Sequence, residues 1–275
     1  MNLFSAVILG IIQGLTELFP VSSSAHLVIL QSFLPNFDQP GVAFDVILHL
    51  GTLVAVVFYF RTDIWNMLKA LLPQQYRFAA VSGDADPATL RKIVVFLIIG
   101  TIPAAVIGLL FQDQIHAIFE SARAAAVFLI ITGFLLFISD KVAHASRDEK
   151  GMTLTDSILI GLAQAVALLP GISRSGATIT AGIFLKLNRT AAARFSFLLS
   201  LPAICGAVIL ESAYLQNISS QEIWLYVAGF ICAAVTGFLS LKLFFLIIRE
   251  ARLKYFAYYC WIFGTFTLLV KSSFF

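Results

Sequence analysis

The sequence predicts an all-α polytopic membrane protein made of two halves that lie in opposite orientations. Three observations predict it: an apolar composition, a series of long apolar runs, and a pattern of Gly, Gln, Pro and Ser that occurs twice. Of 275 residues, 60% are hydrophobic and 12% are charged, whereas soluble domains are about 45–50% apolar and about 25% charged. We therefore expect a single membrane domain over residues 1–275.

The long apolar runs approach or reach the roughly 17–25 residues that an α-helix needs to cross a bilayer. They lie at 42–60, 93–111, 124–138, 195–210, 223–248 and 255–270. We expect these six runs to form three full spans in each half. Residues 73–89 form the one polar loop of appreciable length.

Two segments near the starts of the halves have the same Gly, Gln and Ser residues at an offset of 151 residues. The matching pairs are Gly10 with Gly161, Gln13 with Gln164, and Ser22 with Ser173. Pro20 and Pro170 follow the same pattern with a slip of one residue. We interpret the chain as two repeats, residues 1–140 and 150–275 approximately.

Each repeat begins with two short apolar stretches that a Pro-Ser or Pro-Gly-Ser turn separates. The stretches cover 3–19 and 22–34 in the first repeat, and 155–169 and 176–187 in the second. All four are marginal for a full crossing, so we expect re-entrant helix pairs, which persist only where protein or water surrounds them. Three crossings then invert the second repeat, and the two tips are expected to meet near the midplane of the bilayer.

Basic residues distribute unevenly over this topology. One side collects 14 of the 18 Lys and Arg residues, namely Arg61, Lys69, Arg77, Arg91, Lys92, Lys141, Arg147, Lys150, Lys186, Arg189, Arg194, Arg249, Arg252 and Lys254. The positive-inside tendency makes that side cytoplasmic, so the first re-entrant loop opens outward. A net charge of +3 with loop-borne basic residues indicates no nucleic-acid partner.

The first tip carries candidate metal ligands. Gln13 and Glu17 are four residues apart and share one helix face, and their oxygens suit a hard divalent cation, Mg²⁺ or Ca²⁺. The alternative is a hydrogen-bonded pair against a neighbouring helix. We favour the metal-binding role, because placing a carboxylate within an apolar membrane segment costs free energy.

Three serine hydroxyl groups and a histidine imidazole come shortly after Glu17 in the sequence. One of Ser22, Ser23 and Ser24 is expected to cap the second short helix, and another is a candidate nucleophile or phosphate ligand. His26 lies three residues after Ser23, and we favour a proton-transfer role over a satisfied core group. Asp45 and His49, near the outward end of the first span, either line the entrance or are simply hydrated.

The tip of the second re-entrant pair gives the more specific indication of a binding site, in this case for an anion. In residues 170–178, glycines permit a tight turn, and a helix starting near Ser175 directs free amides at an anion. Arg174 adds a guanidinium fork suited to phosphate oxygens, while Ser173 and Thr178 add hydroxyl donors. The alternative is a structural Arg174 that pairs with Glu17 across the repeat interface.

At these residues the chain resembles the bacterial undecaprenyl-diphosphate phosphatase family, of the integral-membrane bacitracin-resistance type. The family pattern Glu/Gln-x-x-x-Glu, then Pro-x-Ser-Ser and a His, is met between residues 13 and 26. The pattern Pro-Gly-x-Ser-Arg-Ser-x-x-Thr is met in full by residues 170–178. The likeness runs over essentially the entire chain. Gln13 stands where many relatives have Glu, which removes one formal negative charge.

The resemblance implies hydrolysis of a C55 polyprenyl diphosphate lipid to the monophosphate and inorganic phosphate. This reaction recycles the lipid carrier of cell-wall (peptidoglycan) synthesis at the outer face of the bacterial plasma (inner) membrane. It also implies dependence on a divalent cation and contact with membrane lipids. A homodimer is one of the oligomeric states that the sequence leaves open.

Together the residues suggest a mechanism and one alternative function. Glu17 and Gln13 would hold the metal, Ser23 would attack phosphorus, and His26 would act as its base or as proton donor to the leaving group. A metal-activated water, or His26 itself, is the other candidate nucleophile. Ser22, Ser173, Arg174, Ser175 and Thr178 would bind the phosphate oxygens. Inverted repeats also occur in transporters, so a lipid-phosphate flippase or anion carrier is the alternative.

Overall fold

The computed structural model describes residues 1–32, 42–73, 86–119, 121–142, 146–211, 222–248 and 252–273. Within them the regular elements are α-helices, with one 3₁₀ turn at Glu149–Gly151 and one isolated bridge. The helices are α1 Leu3–Leu18, α2 Ser23–Gln31, α3 Val42–Tyr59, α4 Arg61–Leu71, α5 Pro87–Leu110, α6 Gln112–Phe119, α7 Ala122–Ser139, α8 Leu154–Val166, α9 Arg174–Phe184, α10 Arg189–Leu210, α11 Ile223–Ile247 and α12 Lys254–Ser273. The all-α expectation is confirmed.

In the part of the chain that the structure describes, four helices are long and apolar enough to cross a membrane: α5, α7, α10 and α11. Helices α3 and α4 meet the same criterion as a pair bent by 73°, which gives up to five spans where the sequence led us to expect six. The sixth expected span, α12, has 20 residues. Its tyrosines and terminal lysines lower its hydropathy, because phenolic and ammonium groups favour water.

Both expected helix breaks are present. Helix α1 ends at Leu18, and Ser22 caps α2 from a left-handed conformation (φ 65°), accepting a hydrogen bond from the Ala25 amide at 3.3 Å. Helix α8 ends at Val166, and α9 starts after a turn in which Gly171 has φ 104°. A Cβ at Gly171 would lie 2.2 Å from the Ala125 carbonyl oxygen, so only glycine fits there.

The short helices α1 and α8 each pack one face against a long helix from the other half of the chain. Helix α1 runs along α11, and α8 runs along α5. Glycines allow the close approach: a Cβ at Gly10 would lie 2.5 Å from the Gly229 oxygen, and one at Gly161 would lie 2.3 Å from the Gly100 oxygen. In the last turn of α1, Glu17 is buried inside the protein.

Charged side chains gather at one end of the bundle around a cavity of about 770 Å³. Arg147 contacts Asp156 at 2.6 Å and Arg189 contacts Asp140 at 2.7 Å. Arg194 pairs with both Asp63 and Glu149. These ion pairs lie on the side for which the sequence predicts an excess of basic residues.

Some residues of the sequence predictions lie outside the described residues. They are Arg77, Arg249, residues 74–85 of the expected polar loop, and residues 33–34 of the predicted segment 22–34.

Candidate active site

The carboxylate of Glu17 joins the two helix breaks. Glu17 lies in the last turn of α1, where its side chain is 8% exposed. Its Oε1 accepts a hydrogen bond from Arg174 Nη2 at 2.6 Å, and its Oε2 accepts one from Ser23 Oγ at 2.5 Å. Groups from α1, α2 and α9 therefore meet at one buried carboxylate, as expected for two tips that come together.

The alternative interpretation of Arg174, an ion pair with Glu17, is what the structure shows. That pair leaves part of the guanidinium unused, because Arg174 Nη1 is buried and has no hydrogen-bond partner among the described residues. Arg174 is also the first residue of α9, where free backbone amides favour an anion. A buried, unpaired donor beside a helix N-terminus is suited to a phosphate oxygen.

The other hydroxyls of the second tip already have partners within the protein. Ser173 Oγ caps α9 by accepting from the Gly176 amide at 3.0 Å, and Ser175 Oγ donates to the Phe19 carbonyl at 3.3 Å. Thr178 Oγ1 donates to the Arg174 carbonyl at 2.8 Å and lies 2.5 Å from Ser196 Oγ on α10. These contacts fix the tips in place, and they tie the Thr178 hydroxyl to its own helix and to α10. The phosphate contacts expected of Ser22, Ser173, Ser175 and Thr178 stay predictions.

His26 is bonded at both ring nitrogens, and neither bond is to Ser23. Its Nδ1 lies 2.7 Å from the Ser22 carbonyl and its Nε2 lies 2.6 Å from the Tyr259 hydroxyl. A carbonyl only accepts, so Nδ1 carries the proton and Nε2 of the neutral ring accepts from Tyr259. The ring also stacks on Phe263 with centroids 4.6 Å apart. Sequence reasoning missed Tyr259, which is 233 residues away along the chain.

The sequence left open whether His49 lines the entrance to the site or is simply hydrated. Its Nε2 lies 3.6 Å from Glu17 Oε2, and its Nδ1 lies 2.7 Å from the Asp45 carbonyl. The Asp45 carboxylate, expected alongside it, instead accepts from Gln31 Nε2 at 2.9 Å. Of the two entrance candidates, the structure therefore brings only His49 to Glu17.

Oxygen atoms for a cation are present beside Glu17. Gln13 is 0% exposed, its Nε2 donates to Glu17 Oε2 at 3.3 Å, and its Oε1 has no hydrogen-bond partner in the described part of the chain. The described residues contain no group of three or more His, Cys, Asp or Glu that could hold a metal. One carboxylate and one amide do suit an ion such as Mg²⁺, which commonly takes one or two protein ligands and completes its shell with water and substrate phosphates.

Comparison with known proteins agrees with the resemblance of the motifs. The protein-family model described as "Bacitracin resistance protein BacA" matches residues 6–266. The chain belongs to the BacA family. A BacA relative from Methanobrevibacter smithii, named undecaprenyl-diphosphatase, is 42% identical over 270 residues and 96% of each chain. One of the same name from Syntrophotalea carbinolica is 40% identical over 272 residues, which are 99% of this chain and 100% of the relative.

Proposed function

We propose that this protein hydrolyses undecaprenyl diphosphate to undecaprenyl phosphate and inorganic phosphate. The observation that carries the proposal is the contact of one buried carboxylate, Glu17, with a hydroxyl and a guanidinium from separate segments, Ser23 and Arg174. Membership of the BacA family and the name undecaprenyl-diphosphatase shared by the relatives support it. The substrate's isoprenoid tail would lie against the bilayer.

Ser23 is the proposed nucleophile, and Glu17 is its proposed proton acceptor. Ser23 Oγ forms a bond to the terminal phosphorus while the bond from that phosphorus to the bridging oxygen breaks. The electron pair leaves with undecaprenyl phosphate, and the hydroxyl proton passes to Glu17 along the existing 2.5 Å hydrogen bond. Water then attacks the phosphorus of phosphoserine while its bond to Ser23 Oγ breaks. The proton held by Glu17 returns to Ser23 Oγ, and the water's oxygen and protons leave in the inorganic phosphate.

Arg174 stabilises charge on the transferring group. Its Nη1 and the first amides of α9 donate to the phosphate oxygens, as donors already in place lower the barrier for phosphoryl transfer. Gln13 and Glu17 would hold a divalent cation, which supplies further positive charge opposite the diphosphate. The Nη2 bond of Arg174 to Glu17 keeps the carboxylate aimed at Ser23.

His26 becomes a positioning residue in this proposal, in place of the base expected from the sequence. Its Nδ1–H holds the carbonyl of Ser22, the residue with positive φ that precedes Ser23. Its Nε2 anchors this turn to Tyr259 on α12. The ring therefore fixes the backbone from which the nucleophile projects.

The proposal includes an inverted repeat with the site open to the periplasm or cell exterior. Equivalent packing in the two halves supports the repeat: α1 runs along α11 as α8 runs along α5, and α3 contacts α11 as α10 contacts α5. Gly10 and Gly161, which match at the repeat offset, both touch backbone of the facing helix. The ion-paired end around Arg147, Arg189 and Arg194 would face the cytoplasm.

Release of inorganic phosphate from undecaprenyl diphosphate by the purified protein in detergent tests this function. We expect release that EDTA abolishes and that added Mg²⁺ or Ca²⁺ restores, with undecaprenyl phosphate as the lipid product. Detergent micelles have no second compartment, so transport cannot produce this signal. Absence of release from any prenyl diphosphate, together with lipid movement in vesicles, would favour the flippase instead.

A further inference from the structure

The ring of His49 is held in one tautomer by the backbone. Its Nδ1 lies 2.7 Å from the carbonyl oxygen of Asp45, one helical turn earlier on α3. A carbonyl oxygen has no proton to give, so Nδ1–H must be the donor. In the neutral ring, Nε2 is then an acceptor. This Nε2 lies 3.6 Å from Glu17 Oε2, beyond an ordinary hydrogen bond.

A second acceptor without a partner lies beside the same carboxylate. Gln13 is fully buried, its Nε2 is 3.3 Å from Glu17 Oε2, and its Oε1 meets no donor among the described residues. Glu17 already accepts from Ser23, Gln13 and Arg174, but His49 Nε2 and Gln13 Oε1 are acceptors that those donors leave unmatched. Unmatched acceptors on residues that contact a buried carboxylate are suited to a cation.

We propose that His49 Nε2 is a third protein ligand of the divalent cation, together with Glu17 and Gln13. This inference rests on the cation site of the proposed function and names a ligand that the sequence motifs do not contain. A ring N–H donated to a backbone carbonyl is the usual arrangement behind a metal-bound histidine. Ligand atoms about 2.1 Å from a shared ion lie roughly 3.0–3.5 Å apart, close to the 3.6 Å between His49 and Glu17.

A nitrogen ligand changes which ions the site prefers. Imidazole suits first-row transition ions, whereas Ca²⁺ and Mg²⁺ are bound mainly through oxygen. A site of one imidazole, one carboxylate and one amide should therefore bind Mn²⁺ more tightly than Ca²⁺. Arg174 donates to Oε1 of Glu17, whereas His49, Gln13 and Ser23 all approach Oε2, so the ion would lie beside the proposed nucleophile.

Electron paramagnetic resonance of Mn²⁺ added to the purified protein, with and without methylenediphosphonate as a non-hydrolysable diphosphate, tests the proposal. Electron spin-echo modulation detects a directly bound ¹⁴N nucleus. We expect ¹⁴N coupling in the parent and its loss in His49→Gln, with Mn²⁺ affinity lowered about tenfold or more. The matched control is His116→Gln on α6, where His116 contacts Glu211 at 3.1 Å; it should keep both coupling and affinity.

The outcomes separate this inference from the proposed function. Bound Mn²⁺ without ¹⁴N coupling, or coupling that survives in His49→Gln but disappears in His26→Gln, would overturn the role of His49 and leave the cation site standing. The imidazole would then serve as an ion-pair partner of Glu17. Mn²⁺ that binds under neither condition would overturn both the role of His49 and the cation site. The hydrolytic activity is decided separately, by phosphate release.

Discussion

At the scale of single residues, adjacent serines have different tasks because they face different partners. Ser23 Oγ donates to the Glu17 carboxylate at 2.5 Å. Ser24 Oγ instead lies 3.1 Å from Ser22 Oγ and accepts from the Gly171 amide at 3.3 Å. Among the described contacts, Ser23 is the one serine of the two that reaches a carboxylate, which is why the proposed mechanism assigns it the role of nucleophile.

Replacing these two serines gives a matched comparison. We expect Ser23→Ala to lower kcat by roughly 10³-fold or more, because the attacking oxygen is removed. Ser24→Ala should lower it by less than about tenfold, because it loses only neutral hydrogen bonds. Initial rates of phosphate release measure both, and rapid-quench mass spectrometry should find phosphate on Ser23 of the parent. A Ser23→Ala protein within tenfold of the parent would show that water attacks directly.

At the scale of helices, close backbone contacts fix the tips. Helix α8 meets α5 where Gly161 and Gly100 have no side chains, so the helices approach to backbone contact. Ser157 on the same face of α8 donates to the Phe96 carbonyl at 2.5 Å. The second tip, with Arg174, is carried at the end of this rigidly packed helix.

Substitution of a packed glycine should destabilise the protein, while substitution of an open one should not. A Cβ at Gly161 overlaps the Gly100 backbone, and overpacking of this kind costs about 1–3 kcal/mol. Gly206 on α10 has no atom of the described residues within 4 Å of its would-be Cβ, so alanine there gains helix propensity. We expect a lower Tm in detergent for Gly161→Ala and an equal or higher Tm for Gly206→Ala. Equal Tm values for all three proteins would contradict the packing described.

The helix breaks were predictable and several site contacts were not, for one physical reason. A break depends on local chemistry: Pro20 and Gly171 restrict or permit particular backbone angles wherever they stand. The approach of His49 to Glu17, and of Tyr259 to His26, depends on how α3 and α12 pack against the tips. No short-range spacing records that packing. The Glu17–Arg174 contact was foreseeable because the repeat placed both residues at tips.

At the scale of the whole molecule, two short helix pairs meet within a bundle that has a cluster of arginine ion pairs at one end. The ion pairs of Arg147, Arg189 and Arg194 mark that end. Under the proposed orientation, α6 lies at the opposite, outward end. Each end carries exposed residues suited to chemical labelling, Asp113 on α6 and Lys150 near the ion pairs.

Labelling of single cysteines tests this orientation. In protein with Cys205, Cys232 and Cys260 replaced by serine, we expect Asp113→Cys to react with a membrane-impermeant maleimide in cells whose outer face is accessible. Lys150→Cys should react only after the membrane is permeabilised. The reverse pattern would place the site on the cytoplasmic face. Labelling at both positions in intact cells would contradict a single orientation.

The central claim is that the second tip supplies the phosphate contact while the first supplies the nucleophile. The kcat/KM of phosphate release by Arg174→Lys, beside the exposed control Arg252→Lys, tests it most directly. Lysine cannot hold Glu17 and a phosphate oxygen in the same fork. We predict a loss of about 100-fold for Arg174→Lys and parental activity for Arg252→Lys. An Arg174→Lys protein with near-parental kcat/KM would contradict the claim.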